Sequence, residues 1–287
     1  MATAIQIFQG QNVQMFCDRT QYYLLQHEAE HNLLLAIQNT LAQHPMEEPL
    51  PYLGWCEANG AVQGVAVYMP RRNIVLSKMS AATAGLFAED IAKAECQPPG
   101  VAGLTAEVQA FVEVWQQRTR QSVRLAIEMH IYQLIQVQLF SLAAGQLRVA
   151  EMCDRALVLN WSYAFDREAF GSVQALTEQI IDRQLQRGHI YLWHDGSPVS
   201  MAIGRGSNPG GGRIGPVYTP PEYRRRGYAT ACVAALSQRL LDQGYSSCFL
   251  FTDQANLTSN HIYRMIGYQR QCDWFDYQFT ESAQASI

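Results

Sequence analysis

The chain has 287 residues, enough for one large domain or two of ordinary size. Its 48% hydrophobic content is that of a globular protein, and a formal net charge of -4 argues against a generic nucleic-acid binder, which would be basic. Seven scattered cysteines without CxxC spacing suit reduced thiols in a cytoplasm better than a disulfide framework or a zinc site, and no apolar run or basic leader suggests a membrane span or signal peptide.

Residues 15–43 read as one helix, with Tyr23, Leu24, His27, His31, Leu34, Leu35, Gln38 and Leu41 near three-and-four spacing. Inside it, His27-Glu28-Ala29-Glu30-His31 has the form H-E-x-x-H, whose histidines can share a helix face and bind zinc. No third ligand follows at a familiar spacing, so we read a polar stretch of an amphipathic helix and expect no metal. Pro45, Pro49 and Pro51 end the helix. Strands over 52–57 and 62–69 flank Asn59-Gly60, a hairpin signal, and 74–79 makes a third strand. An alanine-rich helix over 81–96 stops at Pro98-Pro99-Gly100. Val108, Phe111, Val112 and Trp115 mark another helix, and 123–137 reads as a strand.

After Gly145 come a short strand over 147–150, helices over 154–165 and 172–187, and a hairpin about Asp195-Gly196. A glycine-rich loop covers 206–212. The strand over 213–219, interrupted by Gly215 and Pro216, is stopped by Pro220 and Pro221. Three arginines and Gly227 then lead into a helix with Ala229, Cys232, Val233, Leu236 and Leu240 on one face, ending at Gly244. Exposed N–H groups at such a helix start attract anions, and glycine permits close approach. The turn therefore reads either as a pyrophosphate cradle or as a solvated basic tip. The apolar run 247–252 completes a βαβ unit, which places ligands at the carboxyl ends of its strands. There Asn256, Asn260 and Tyr263 point toward one region, on and before a helix over 258–266, and 274–279 is a closing strand. The hairpins at Tyr52 and Tyr191 echo each other, which suggests duplication of one α/β unit. On that alignment Gly100-Val101-Ala102-Gly103 stands where the second half has its arginines.

Arg224-Arg225-Arg226-Gly227-Tyr228-Ala229 resembles the Arg/Gln-x-x-Gly-x-Gly/Ala signature of the GNAT superfamily of acyl-CoA-dependent N-acetyltransferases. The run from Asn256 to Tyr268, an Asn followed by a helix ending Tyr-x-x-x-Gly-Tyr, resembles that superfamily's next motif. The likeness covers about 147–280, and the first half resembles the degenerate partner of tandem-GNAT proteins. It implies an α/β fold with a mixed α+β sheet: two GNAT-like units, each a mostly antiparallel twisted sheet flanked by helices, with a βαβ cofactor-binding segment. The degenerate domain would span 1–145 and the catalytic one 146–287.

The resemblance also implies roles. The backbone of Val217, Tyr218 and Thr219 would hydrogen-bond the pantetheine arm of acetyl-CoA. Arg224, Arg225, Arg226, Gly227, Tyr228, Ala229 and Thr230 would hold the pyrophosphate. Asn256 and Asn260 would lie on the pantetheine side, and Tyr263 would protonate the leaving thiolate, since a phenol stays protonated at neutral pH. A backbone N–H near Val217 could polarise the thioester carbonyl. The expected activity is acetyl transfer from acetyl-CoA to a primary amine by direct attack in a ternary complex. The alternative is a non-catalytic acyl-CoA sensor. No carboxylate lies between Arg213 and Thr219, which leaves Asp166, Glu168 and Glu222 as base candidates, with a structural role the plainer reading for each. Tyr163, Phe165, Phe170 and Trp193 could line an acceptor pocket or simply pack. The partners are acetyl-CoA and an amine, without metal, nucleic acid or membrane. A homodimer is compatible with the sequence, but no feature specifies one.

Overall fold

The computed structural model describes residues 5–10, 12–43, 50–94, 96–138, 143–206 and 210–280. Pro45, Pro49 and part of the expected 206–212 loop lie outside them. In chain order the elements are β1 (Gln6–Gln9), α1 (Val13–Leu25), α2 (Glu28–Ala42), β2 (Tyr52–Ala58), β3 (Ala61–Tyr68), β4 (Ile74–Leu76), α3 (Ala81–Lys93), β5 (Gly100–Leu104), α4 (Thr105–Thr119) and β6 (Ser122–Leu134). The same order of strands and helices then recurs: β7 (Gln146–Val149), α5 (Arg155–Phe170), α6 (Thr177–Gln186), β8 (Ile190–Asp195), β9 (Ser197–Gly206), β10 (Gly212–Tyr218), α7 (Tyr228–Asp242), β11 (Cys248–Asp253), α8 (Leu257–Ile266) and β12 (Gln269–Thr280). The fold is thus mixed α/β, built twice.

The chain forms two compact units that are not contiguous in sequence. The first takes Met1–Ile131, Asp253–Ala255 and Gln271–Ile287; the second takes Tyr132–Thr252 and Asn256–Arg270. In the first unit β1–β4 pair antiparallel in sequence order, β5 runs parallel to β4, and β12 lies antiparallel against β5, from Trp274 opposite Leu104 to Gln278 opposite Gly100. Asn59 and Gly60 both have positive φ, as the two-residue hairpin turn between β2 and β3 requires. The core of this unit gathers Phe87, Ile91, Phe111 and Trp115 from α3 and α4 against Ile74, Leu76 and Val101 of the sheet. β12 belongs with β5 because its side chains fit there: Phe279 stacks on Trp115 at 4.9 Å, and Asn73 donates to Asp276.

In the second unit β7, β8, β9 and β10 pair antiparallel in sequence order, and β11 runs parallel to β10. One face carries α7 and α8, whose Val233, Leu236, Leu240, Tyr263 and Ile266 pack with Ile214 and Leu250. The other face, with Met201, Ile203, Leu192 and Tyr218, packs against Val158 of α5 and Ile181 of α6. α7 forms because a small and apolar face (Ala231, Cys232, Ala234, Leu236, Leu240) repeats at helical spacing, and Gly227 in the left-handed region opens it.

Two expectations change. The helix over 15–43 is two helices, broken at Gln26 and His27, with His27 at the N-cap position of α2 but making no side-chain capping hydrogen bond. The pairing of Gly100–Gly103 with the arginine turn is also corrected. Those residues are in β5, the counterpart of β11, because β5 is parallel to β4 as β11 is to β10. A Cβ at Gly100 would meet the Tyr277 carbonyl oxygen at 2.0 Å, so this glycine serves close strand packing. The counterpart of the arginine turn is the segment 77–80 between β4 and α3.

Candidate active site

The hydrogen-bonded partnership of β10 and β11 covers Gly212–Ile214 and Cys248–Leu250 only. Beyond it β10 bulges between Ile214 and Val217, at Gly215-Pro216, and continues along β9 with Val217 opposite Ala202 and Tyr218 opposite Met201. The two parallel strands part at their carboxyl ends, where a βαβ unit takes its ligand. Val217 is half-buried. Tyr218 is buried against Trp161, and the Thr219 hydroxyl pairs with the buried Ser200 hydroxyl at 2.8 Å. Ser200, which no sequence motif marks, also donates to the Tyr218 carbonyl and fixes the end of the strand.

A one-turn helix over Pro221–Tyr223 follows, and the chain then turns through two left-handed residues, Arg225 with φ 62° and Gly227 with φ 80°. Arginine is an unusual occupant of that region. The first intrahelical bond of α7 runs from Ala231 N to Gly227 O, so Tyr228, Ala229 and Thr230 carry first-turn N–H groups without helical partners, and Gly227 has no side chain to cap them. A Cβ at Gly227 would meet only the Ala143 Cβ, at 3.6 Å. Space and unsatisfied donors therefore coincide at a positive helix end, which is what a pyrophosphate requires. Arg225 and Arg226 are exposed there.

Arg224 is used differently. Its Nε donates to the Thr219 carbonyl at 2.8 Å, its Nη2 donates to both oxygens of Glu168 at 2.8 Å, and its guanidinium lies over the Tyr218 ring. It braces the turn against β10 and α5. Tyr228 likewise donates to Asp195 at 2.7 Å.

On the far strand, Asn256 caps α8, its Oδ1 accepting from Ser259 N at 3.0 Å. Asn260 is buried: its amide donates to the Asn256 carbonyl at 2.8 Å and accepts from the Tyr132 hydroxyl at 3.1 Å. Tyr263, 8% exposed, stands between Tyr132 and Tyr268. Burial pushes its phenol up to about 12, slightly offset by a hydrogen bond with Ser259. It is a protonated phenol throughout the neutral range, the form an acid needs. Gly267, at φ 110°, ends α8.

The base candidates hold structural positions. Asp166 is buried and accepts from Thr177 Oγ1 and from Gln174 N at 3.0 Å, tying α5 to α6. Glu168 is the partner of Arg224, and Glu222 is exposed. Of the expected pocket aromatics, Trp193 is buried with its indole N–H on the Ala144 carbonyl at 2.9 Å, a core residue. Tyr163 and Phe165 are half-buried, and Phe170 is exposed with its ring edge-on to Phe165.

In the first unit the corresponding turn is filled by the protein itself. Lys78 N donates to His31 Nε2 at 2.9 Å, Met79 N donates to Glu107 Oε1 at 3.2 Å, and Ser80 caps α3 through Thr83 N. His31 is fully buried, and its Nδ1 meets the Leu24 carbonyl at 3.0 Å. Both ring nitrogens are engaged, so H-E-x-x-H is a packing motif here. Among the described residues no group of three or more His, Cys, Asp or Glu is placed to hold a metal.

Residues 153–268 match the model of the acetyltransferase (GNAT) family. The whole chain is similar in fold to a GNAT-family acetyltransferase from Colwellia psychrerythraea (TM-score 0.58, 11% identity, covering 96% of this chain and 100% of the other). It is also similar to a GCN5-related N-acetyltransferase from Sphaerobacter thermophilus (0.61, 13%, 97% and 96%). A tandem GNAT protein from the clavulanic acid biosynthesis pathway shares the fold as well (0.55, 10%, 97% and 98%). No curated protein matches the sequence.

Proposed function

We propose that the protein is an acetyl-CoA-dependent N-acetyltransferase with one working site, in the second unit. The observation that carries this is the meeting of unsatisfied first-turn N–H groups, open space over Gly227 and parting strands, with the protonated Tyr263 on the α7 and α8 side of the same unit. The backbone of 217–219 would hold the pantetheine arm, and 225–230 the pyrophosphate. A neutral primary amine attacks the thioester carbonyl carbon to form a tetrahedral intermediate, its cationic nitrogen loses a proton to water, the C–S bond breaks as Tyr263 gives its proton to the thiolate, and the phenolate regains a proton from solvent, leaving an amide and CoA. The N-terminal region, 1–145 in sequence terms, would be the degenerate partner, since its equivalent turn has its donors at Lys78 and Met79 satisfied internally. All seven cysteines are free thiols, which supports a cytoplasmic site of action. No helix among the described residues is long and apolar enough to cross a membrane.

Calorimetry with acetyl-CoA, paired with a thiol-release assay over a panel of amines, tests the reading. One binding event per chain and amine-dependent release of CoA are expected; no acetyl-CoA binding would sink it. The engagement of Glu168 by Arg224 favours the second reading, an acyl-CoA sensor, because it occupies one candidate base. Binding without turnover on any amine would select that reading.

A further inference from the structure

β10 carries a half-buried arginine, with its Nη1 fully buried, that the acetyl-CoA reading does not use. Arg213 pairs across the ladder with Arg205 of β9 and stands one residue before Ile214, the last residue of β10 in register with β11. Side chains alternate along a strand. Ile214 packs on the α7 face, so Arg213 lies on the opposite face, the side of α5 and α6. Its guanidinium is over the ring of Phe251, 4.8 Å from the centroid. Phe251 is the first residue of β11 past the paired segment, so the guanidinium reaches the level at which the strands part. Tyr263 approaches from the α7 face, and Arg213 comes from the other.

The guanidinium lacks a counter-charge. Its Nη1 is buried without a hydrogen-bond partner, and neither Arg213 nor Arg205 forms an ion pair among the described residues. The neighbouring charges are positive: after burial, Arg205 and Arg187 lower the basicity of His189, and after burial, Arg187 lowers that of Arg205. Burial, then Arg205, pushes Arg213 down to about 9. A guanidinium still stays charged at neutral pH, so the fold holds a half-buried cation with no counter-charge among the described residues. Such a group is costly unless an anion completes it, and its planar fork suits a carboxylate.

We infer that the acceptor is an amine that also carries a carboxylate, an amino-acid-type substrate, held by Arg213 with Arg205 behind it. This rests on the transferase reading for its chemistry, but the anion site can be tested separately. Amino acids and their amides are compared as acceptors, with phosphoethanolamine as the phosphate arm. N-acetyl amino acids and their amides are compared as stabilisers in thermal denaturation, at matched ionic strength.

In the wild-type protein, kcat/KM for the best amino acid should exceed that for its amide by about 10- to 100-fold, the worth of one charge-assisted contact. Arg213→Met should erase that ratio, and Arg213→Lys, which keeps charge but loses the fork, should retain part of it and covers a failure of the first variant to fold. The matching N-acetyl acid should raise the melting temperature of wild type and not of Arg213→Met. Acetylation of amides as readily as acids overturns the inference and leaves the transferase. A preference for phosphoethanolamine alone replaces carboxylate by phosphate and overturns it as well. Stabilisation by N-acetyl acids without turnover upholds the anion site and overturns the transferase.

Discussion

The Nη2 of Arg224 donates to both carboxylate oxygens of Glu168, each at 2.8 Å, while its Nε holds the Thr219 carbonyl. One side chain thereby joins the end of β10, the arginine turn and α5. Both partners are partly exposed, with side chains 41% and 51% accessible, so the pair itself adds little stability, at most about 1 kcal/mol. Its work is to set the turn. Glu168→Gln should leave the melting temperature nearly unchanged and weaken acetyl-CoA several-fold by calorimetry. Unaltered affinity with abolished turnover would instead make Glu168 the base.

Tyr263→Phe removes the proton donor and keeps the ring between Tyr132 and Tyr268. Turnover should fall about 100-fold, at the lower end for loss of a general acid, with little change in acetyl-CoA affinity. Single-turnover kinetics separate the two quantities, and an unchanged chemical rate would take Tyr263 out of the acid role.

Gly227 makes two separable contributions. Any other residue there pays for the left-handed backbone, about 1 kcal/mol, whatever its size. Gly227→Ala and Gly227→Leu should therefore lose similar stability. Only the larger side chain should abolish acetyl-CoA binding, because among the described residues the space over the turn is open apart from the Ala143 Cβ. Equal affinities for the two variants would mean that the cofactor does not approach Gly227.

His31 gives the first unit a pH signature. Burial pushes its pKa down to about 4, below the ordinary value of 6.5. Between those values the unfolded chain binds a proton that the folded protein does not, so stability is complete above about pH 6.5 and is lost as pH falls toward 4, by up to about 3 kcal/mol. Asp276 acts in the opposite sense. Burial raises its pKa to about 7, so the stability it contributes is present below the carboxylate's ordinary value and is lost as pH rises through 7. The two oppose each other between pH 4.5 and 7, so His31 is read as a difference: by urea denaturation, His31→Gln should be more stable at pH 4.5, relative to its own stability at pH 7, than wild type is, by up to about 3 kcal/mol. The same pH dependence in both proteins would place the titration elsewhere.

The local signals in this chain were legible because they depend on near neighbours. Hydrophobic period and glycine punctuation place α7 and α8, and the Asn59-Gly60 turn is set by the two residues that form it. The order Arg224 to Ala229, then Asn256 to Tyr268, was enough to point to the segment that matches the acetyltransferase (GNAT) family model, since the helix start and the parting strands are built from contiguous segments. H-E-x-x-H shows the limit of such reading: the spacing is local, but whether the histidines face a metal or a core depends on Leu24 and Lys78. The arginine turn shows it again, for three similar residues divide into a brace, Arg224, and two exposed cations, Arg225 and Arg226.

By itself the sequence determined a twice-built α/β chain and the whereabouts of one basic strand-to-helix turn, because backbone conformation and apolar periodicity are written residue by residue. Only the tertiary structure decided that β12 pairs with β5, that Asn256 is a helix cap, and that Arg213 is left without a counter-charge among the described residues, beside Phe251. Those outcomes depend on which distant side chains share a buried volume. There a polar group must find its partner across the fold, or wait for one to bind.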